Sequence, residues 1–172
     1  MGDKYFDIGL PEKLGNNLSK NFLLNEELFE FVGDLLIESC VLKTIVFIEK
    51  KQSFWNVEIR IEGFLNTFCD RCGDPLKVMV KGVEIYYLKR QERNKNSQNE
   101  NVIFISSKKT DFNVKKLLQE VCFLLFPITR KHQMEDCNQS VLINLEKSNK
   151  TVQGQTISSQ ILKDLKQKLK NN

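Results

Sequence analysis

Trp55-Asn56-Val57-Glu58-Ile59-Arg60-Ile61-Glu62 alternates apolar and polar residues without a break. A period of two is the spacing of a half-buried antiparallel strand with one wet face. This stretch sets the reading of the fold as β-dominated, and its neighbours extend the pattern. Before it, Lys50-Lys51-Gln52-Ser53 is a polar turn, and Val41–Glu49 is rich in β-branched residues. After it, Gly63 allows a bulge and Phe64–Phe68 carry the strand on. Past Pro75 the alternation resumes with Leu76, Val78 and Val80. Beyond Gly82 it continues as Val83, Ile85 and Tyr87 with reversed parity, which predicts a bulge at Gly82.

Outward from this hairpin the elements are shorter. Lys4–Leu10 reads as an edge strand closed by Pro11, and Leu18–Leu24 as another strand. Asn25 is placed to cap a short helix, Glu26–Val32, stopped by Gly33. Arg90–Asn101 holds nothing that can enter a core and reads as a mobile loop before a last strand, Val102–Ser106. Val114, Leu117, Leu118, Val121, Cys122, Leu124 and Leu125 follow helical spacing. That helix, Val114–Phe126, has Asp111 or Asn113 as cap and Pro127 as terminator. Cys122 on this stripe and Cys40 at the start of a strand read as small buried hydrophobes.

Ser148–Gln155 is polar. Ser159–Lys170 then forms a basic amphipathic pattern, with Ile161, Leu162, Leu165 and Leu169 in a stripe and Lys163, Lys166, Lys168 and Lys170 outside it. The predicted fold is α+β: a mainly antiparallel, curved sheet, partly barrel-like, with one packed helix and a C-terminal amphipathic helix. The predicted organisation is one domain over 1–147, then a polar linker and basic helix over 148–172.

Composition narrows the class. Hydrophobic residues at 41% and charged residues at 28% of 172 positions suit a soluble chain with a real core. A net charge of +4 is compatible with nucleic acid without pointing to it. Five cysteines are an odd number and sparsely spaced, which argues for reduced thiols and a cytoplasmic location rather than a disulfide framework. The N-terminus has no apolar core of a signal peptide, and the longest apolar run, Val121–Ile128, is too short to span a bilayer. No membrane partner is expected.

Between the two central strands lies Phe68-Cys69-Asp70-Arg71-Cys72-Gly73-Asp74-Pro75, a Cys-x-x-Cys knuckle. The single histidine, His132, and Cys137 follow the predicted helix. Cys69, Cys72, His132 and Cys137 together form a thiolate and imidazole set of the kind that structural zinc takes in a tetrahedron. Gly73 and Pro75 suit the tight turn that would aim both knuckle sulfurs inward. The halves lie about sixty residues apart, a longer gap than in common finger patterns. The competing reading is a reduced, metal-free turn with a solvated histidine. A redox role fits less well, because a thioredoxin-type Cys-x-x-Cys opens a helix after a parallel strand.

No Gly-rich phosphate loop or Gly-x-Ser-x-Gly elbow is present, and no catalytic residues or small-molecule substrate are assigned. Basic residues cluster at Lys50-Lys51, Lys108-Lys109, Lys115-Lys116, Arg130-Lys131 and the C-terminal lysines. Arg130, Lys131, Lys163, Lys166, Lys168 and Lys170 are the candidate phosphate contacts, weighed evenly against a plain solvated lysine surface.

The order of features resembles the YceD family, the large ribosomal RNA subunit accumulation proteins, and most nearly its shorter Bacteroidetes-type members. The residues that carry this are Gly63, Cys69-Asp70-Arg71-Cys72 and Pro75, then Asp111-Phe112-Asn113-Val114, Leu124-Leu125-Phe126-Pro127-Ile128, and His132 before Cys137. They span about Tyr5 to Cys137. The resemblance implies a bacterial, cytoplasmic, non-enzymatic protein linked to accumulation of large-subunit ribosomal RNA, with that RNA or a ribosomal protein as partner. It also strengthens the zinc reading, since the four candidate ligands match positions where such proteins place metal-ligand residue types. Two departures stand out. Gly73 replaces the usual leucine after the second cysteine, and Ile157-Ser158-Ser159-Gln160 stands where many relatives have Asp-Pro-Arg-Trp. The alternative function is a protein–protein adaptor that uses the C-terminal amphipathic helix.

Overall fold

The computed structural model describes residues 3–29, 37–91 and 101–154. The chain divides into two compact units. The first comprises Met1–Phe68 and Pro75–Arg130; the second comprises Cys69–Asp74 with the chain from Lys131 onward. The domain boundary expected at 147 falls within a helix of the second unit.

The first unit is built on an open five-stranded sheet, ordered β2-β3-β4-β5-β6. Its strands are β2 (Asn17–Leu24), β3 (Ser39–Lys50), β4 (Phe54–Phe68), β5 (Pro75–Gln91) and β6 (Val102–Ser106). Neighbours from β2 to β5 pair antiparallel, and β6 adds to β5 in parallel. The sheet does not close, so the expected partial barrel is absent among the described residues. A separate pair, β1 (Asp7–Gly9) with β7 (Asp111–Asn113), forms a two-stranded sheet. The edge strand expected over Lys4–Leu10 is therefore only three residues long. A 3-10 turn, Asp3–Phe6, replaces its first half. That turn buries Phe6, which stacks on Phe22 at 5.7 Å between ring centroids.

The alternation around Trp55 gives what a period of two should give. Trp55, Val57, Ile59 and Ile61 are buried, and so is Leu65 beyond them. The Trp55 indole N–H, which needs a partner once buried, donates to the Pro11 carbonyl at 2.7 Å.

The two predicted bulges do not form. Strands β4 and β5 pair residue for residue from Phe54↔Lys89 to Phe68↔Pro75. Parity is unbroken through Gly82, with Val80, Tyr86 and Leu88 buried on the inner face. Val83, Ile85 and Tyr87 thus lie on the outer face, exposed by 54%, 40% and 38%. The glycines answer to close approach instead. A Cβ on Gly82 would lie 2.2 Å from Cδ2 of Leu125, and one on Gly63 would lie 2.1 Å from the Val41 carbonyl oxygen.

Leu125 belongs to α1 (Lys115–Leu125), which covers the inner face with Leu117, Leu118, Val121 and Cys122. This is the predicted helix, ended as expected before Pro127 by extended backbone at Phe126. Neither expected residue caps it: Val114 takes the N-cap position without a side-chain cap hydrogen bond, and Asn113, one residue earlier, accepts from the Lys115 N–H at 3.1 Å. Leu124, expected in the apolar stripe, is instead 64% exposed. A second 3-10 turn, Glu26–Phe29, stands where a helix to Val32 was expected. The expected Asn25 cap is not made: the buried Asn25 Oδ1 has no partner among the described residues, and the turn is closed by Leu28 N–H to the Asn25 carbonyl. The remainder of that expected helix, with Gly33, lies outside the described residues, as does most of the loop expected over Arg90–Asn101.

The second unit contains α2 (Gln139–Gly154), which the sequence reading missed. Most of Ser148–Gln155, expected as a polar linker, belongs to it. Asn138 starts the helix, accepting from the Ser140 N–H and hydroxyl at 3.2 and 2.6 Å. The C-terminal helix expected over Ser159–Lys170 lies outside the described residues. No helix among the described residues is long and apolar enough to cross a membrane.

Candidate metal centre

The knuckle Cys69–Asp74 joins the ends of β4 and β5. Its backbone closes on itself: Cys69 N–H donates to the Asp74 carbonyl at 2.8 Å, and Gly73 N–H to the Cys69 carbonyl at 2.9 Å. Gly73 holds φ at +79°, a left-handed conformation that L side chains rarely adopt. Gly73 is thus the residue that lets this turn close.

All four predicted ligands come together. One ligand atom from each of Cys69, Cys72, His132 and Cys137 lies within 4.8 Å of every other, and all four residues belong to the second unit. Cys69 Sγ stands 4.0 Å from Cys137 Sγ, and Cys72 Sγ 3.5 Å from His132 Nδ1. A tetrahedral zinc, with Zn–S of about 2.3 Å and Zn–N of about 2.0 Å, sets S–S edges of about 3.8 Å and S–N edges of about 3.5 Å. The two separations just given lie close to those edges, and all the cysteines are free thiols. The three sulfurs are buried and the imidazole is half-buried. This donor set can hold a metal ion, and its softness and geometry are consistent with zinc.

The surroundings favour thiolate at the knuckle. Burial pushes Cys69 up, but backbone N–H groups of His132, Cys72 and Arg71 outweigh it and lower its pKa to about 6. Two of those donors lie 3.5 and 3.4 Å from its sulfur. Backbone N–H groups of Asn138 and Asp74 lower Cys72 in the same way. The Cys137 thiol is pushed up, first by burial and then by the neighbouring sulfurs of Cys69 and Cys72; Arg71 opposes this. Arg71 Nη1 lies 3.6 Å from Cys137 Sγ and 2.9 Å from Met134 Sδ. Three thiolates on a divalent ion leave one net negative charge, and a guanidinium beside the sulfurs offsets it. Sequence reasoning gave Arg71 no role, although its place between two candidate ligands was the available signal.

Arg130 is half-buried and donates to the Thr67 hydroxyl at 3.3 Å, while Lys131 is exposed. Lys163, Lys166, Lys168 and Lys170 lie outside the described residues.

No family model, curated protein or solved structure matches the chain. The resemblance to the YceD family therefore rests on the residues quoted above.

Proposed function

We propose that this chain is a non-enzymatic ribosome-biogenesis factor of the cytoplasm, with a structural zinc ion held by Cys69, Cys72, His132 and Cys137. In this reading it supports accumulation of large-subunit ribosomal RNA by binding that RNA or a ribosomal protein. One observation carries the zinc reading: four protein ligand atoms converge within 4.8 Å. Four protein ligands fill a tetrahedron and leave no open position for substrate, which is the pattern of a structural rather than a catalytic site. The ribosomal reading is supported by the family resemblance. Arg130, Lys131 and the C-terminal lysines would supply phosphate contacts.

The test has two parts. Metal analysis of the purified protein is expected to give one zinc per chain. Crosslinking in the cell, with sequencing of copurified RNA, is expected to enrich one segment of large-subunit ribosomal RNA. Binding through phosphates would weaken steeply as salt rises. Zinc-free protein with unchanged melting would remove the metal reading. Ribosomal RNA at background would remove direct RNA binding and favour a protein partner. An adaptor working through the C-terminal helix falls on residues outside those described; deletion of 157–172 tests it by loss of partner binding.

A further inference from the structure

Two basic pairs that stand far apart in the chain, Lys50-Lys51 and Lys108-Lys109, meet at one end of the first unit's sheet. The end of β3, the start of β4 and the ends of β5 and β6 all lie there, because Lys50 pairs with Trp55, Trp55 with Leu88, and Arg90 with Ile105. Lys89 and Arg90 join them from β5. The turn after β6 is tied to this end: the Lys109 N–H donates to the Ser106 carbonyl at 3.1 Å, and Arg90 Nη2 donates to the Lys109 carbonyl at 3.2 Å. Of these six cations, Lys51 alone has a carboxylate partner among the described residues, Glu49 at 2.6 Å. Lys89, Lys108 and Lys109 are exposed. Lys50 and Arg90 crowd one ring, with Lys50 Nζ 3.8 Å and Arg90 Cζ 5.0 Å from the Trp55 centroid. Burial, and then the Arg90 guanidinium, hold Lys50 below the usual lysine value.

Aromatic rings stand among these cations on the outer face. Pairing registers set Phe54, Lys89 and Phe104 in one row across β4, β5 and β6, with Tyr87 in the next row. Lys89 is thus one strand spacing, about 4.8 Å, from an aromatic position on either side. Tyr87 and Phe104 are 38% and 37% exposed, and Phe54 braces Tyr87 in a T-shaped contact at 5.6 Å between centroids. Rings on adjacent strands, set among cations, are the means by which sheets stack unpaired bases and hold the phosphates between them. Bases in a duplex are already stacked on one another, so this surface suits a single strand. A protein partner fits less well. The exposed apolar area is small, and phosphate contacts draw on charge rather than on apolar burial.

We propose that this end of the sheet binds single-stranded RNA, with bases stacked on Tyr87 and Phe104 and phosphates held by Lys89, Lys108 and Lys109. The proposal rests on the reading of the chain as an RNA binder. It assigns the contacts to residues other than Arg130, Lys131 and the C-terminal lysines, and it does not depend on the metal centre.

The test uses the full chain and a short fluorescent single-stranded RNA of mixed sequence, with duplex RNA of the same length and polyglutamate of the same charge for comparison. Anisotropy is expected to show saturable binding of the single strand, at least tenfold tighter than the duplex. Unlabelled single strand should displace it at least tenfold more effectively than polyglutamate. Tyr87→Thr with Phe104→Thr should weaken single-strand binding at least tenfold. Lys89→Gln with Lys108→Gln and Lys109→Gln should reduce the slope of log affinity against log salt by about 2, the effect of three lost phosphate contacts on a single strand. Those three lysines are exposed, so the melting temperature should hold, and the lysine variant decides the matter should the threonine variant melt lower. A chain that binds no RNA would overturn the RNA reading and the site together. Binding that survives both variants would overturn the site, and its loss in Arg130→Gln/Lys131→Gln or on deletion of 157–172 would leave the RNA reading standing. Equal affinity for duplex would overturn the stacking role, and equal competition by polyglutamate would replace RNA with an acidic protein.

Discussion

The five thiols separate into two chemical kinds. Cys40 and Cys122 are pushed up to about 12, each first by burial; the Glu26 carboxylate adds to the effect at Cys40, and Cys40 adds to it at Cys122. Cys69, Cys72 and Cys137 sit in the candidate centre. Thiol counting on the native protein is therefore expected to find no fast-reacting thiol with metal bound, three after chelation, and five in denaturant. Five slow thiols after chelation would contradict it. The pH consequence follows from the sign of the shift. Raised folded-state values mean that Cys40 and Cys122 keep their protons when the unfolded chain would lose them. Their contribution to stability is full below pH 9 and is lost as pH rises from 9 toward 12, which urea titrations across that range would show. Thr44 offers a second test. It is 1% exposed, and its hydroxyl oxygen has no hydrogen-bond partner among the described residues. Thr44→Val removes a buried polar group at constant shape and is expected to stabilise by about 1 kcal/mol in urea unfolding.

Among the elements, β4 and β5 depend on two glycines for different reasons. Gly63→Ala drives a methyl into the Val41 carbonyl, which backbone pairing holds in place, and is expected to cost at least about 3 kcal/mol. Gly82→Ala meets only the far end of the Leu125 side chain, and a cost of about 1–3 kcal/mol is expected. Leu125→Ala should relieve part of that, so the double variant is expected to be less destabilised than the sum of the single ones. Chemical denaturation of the four proteins decides this; additivity would mean that Gly82 and Leu125 do not meet.

On the scale of the molecule, two compact units predict two separable responses. The single tryptophan, Trp55, is buried in the first unit, while the whole candidate metal set lies in the second. Chelation, or Cys69→Ser, is expected to abolish zinc binding and lower amide protection at Cys69–Asp74 and in α2, because metal binding is folding free energy for a small site. Trp55 emission should stay native under the same treatment. Hydrogen exchange and fluorescence on one sample check both; unfolding of Trp55 on chelation would show the units to be energetically inseparable.

Local pattern was enough to establish that the chain is α+β, that the strands around Trp55 pair antiparallel, where α1 ends, and which four residues gather into a cluster that could hold a metal ion. Period, β-branching, a proline and ligand chemistry are properties of neighbouring residues or of residue type, so they survive without a structure. The misreading at Gly82 has a tertiary cause. A parity change at Gly82 was read from apolar spacing as a bulge, but Val83, Ile85 and Tyr87 face outward while Tyr86 and Leu88 stay buried, and the glycine faces Leu125. Only the tertiary arrangement decides which face of a strand is covered, since a strand apolar on both faces leaves the same spacing whether it bulges or presents a surface. Helix α2 was missed for a related reason: its sequence is mostly polar, with little apolar stripe to read. The convergence of Cys69, Cys72, His132 and Cys137 to one cluster was likewise a matter of residue type in the sequence and of chain path in the structure. Ligands some sixty residues apart meet only because the chain from Lys131 onward forms one unit with the knuckle.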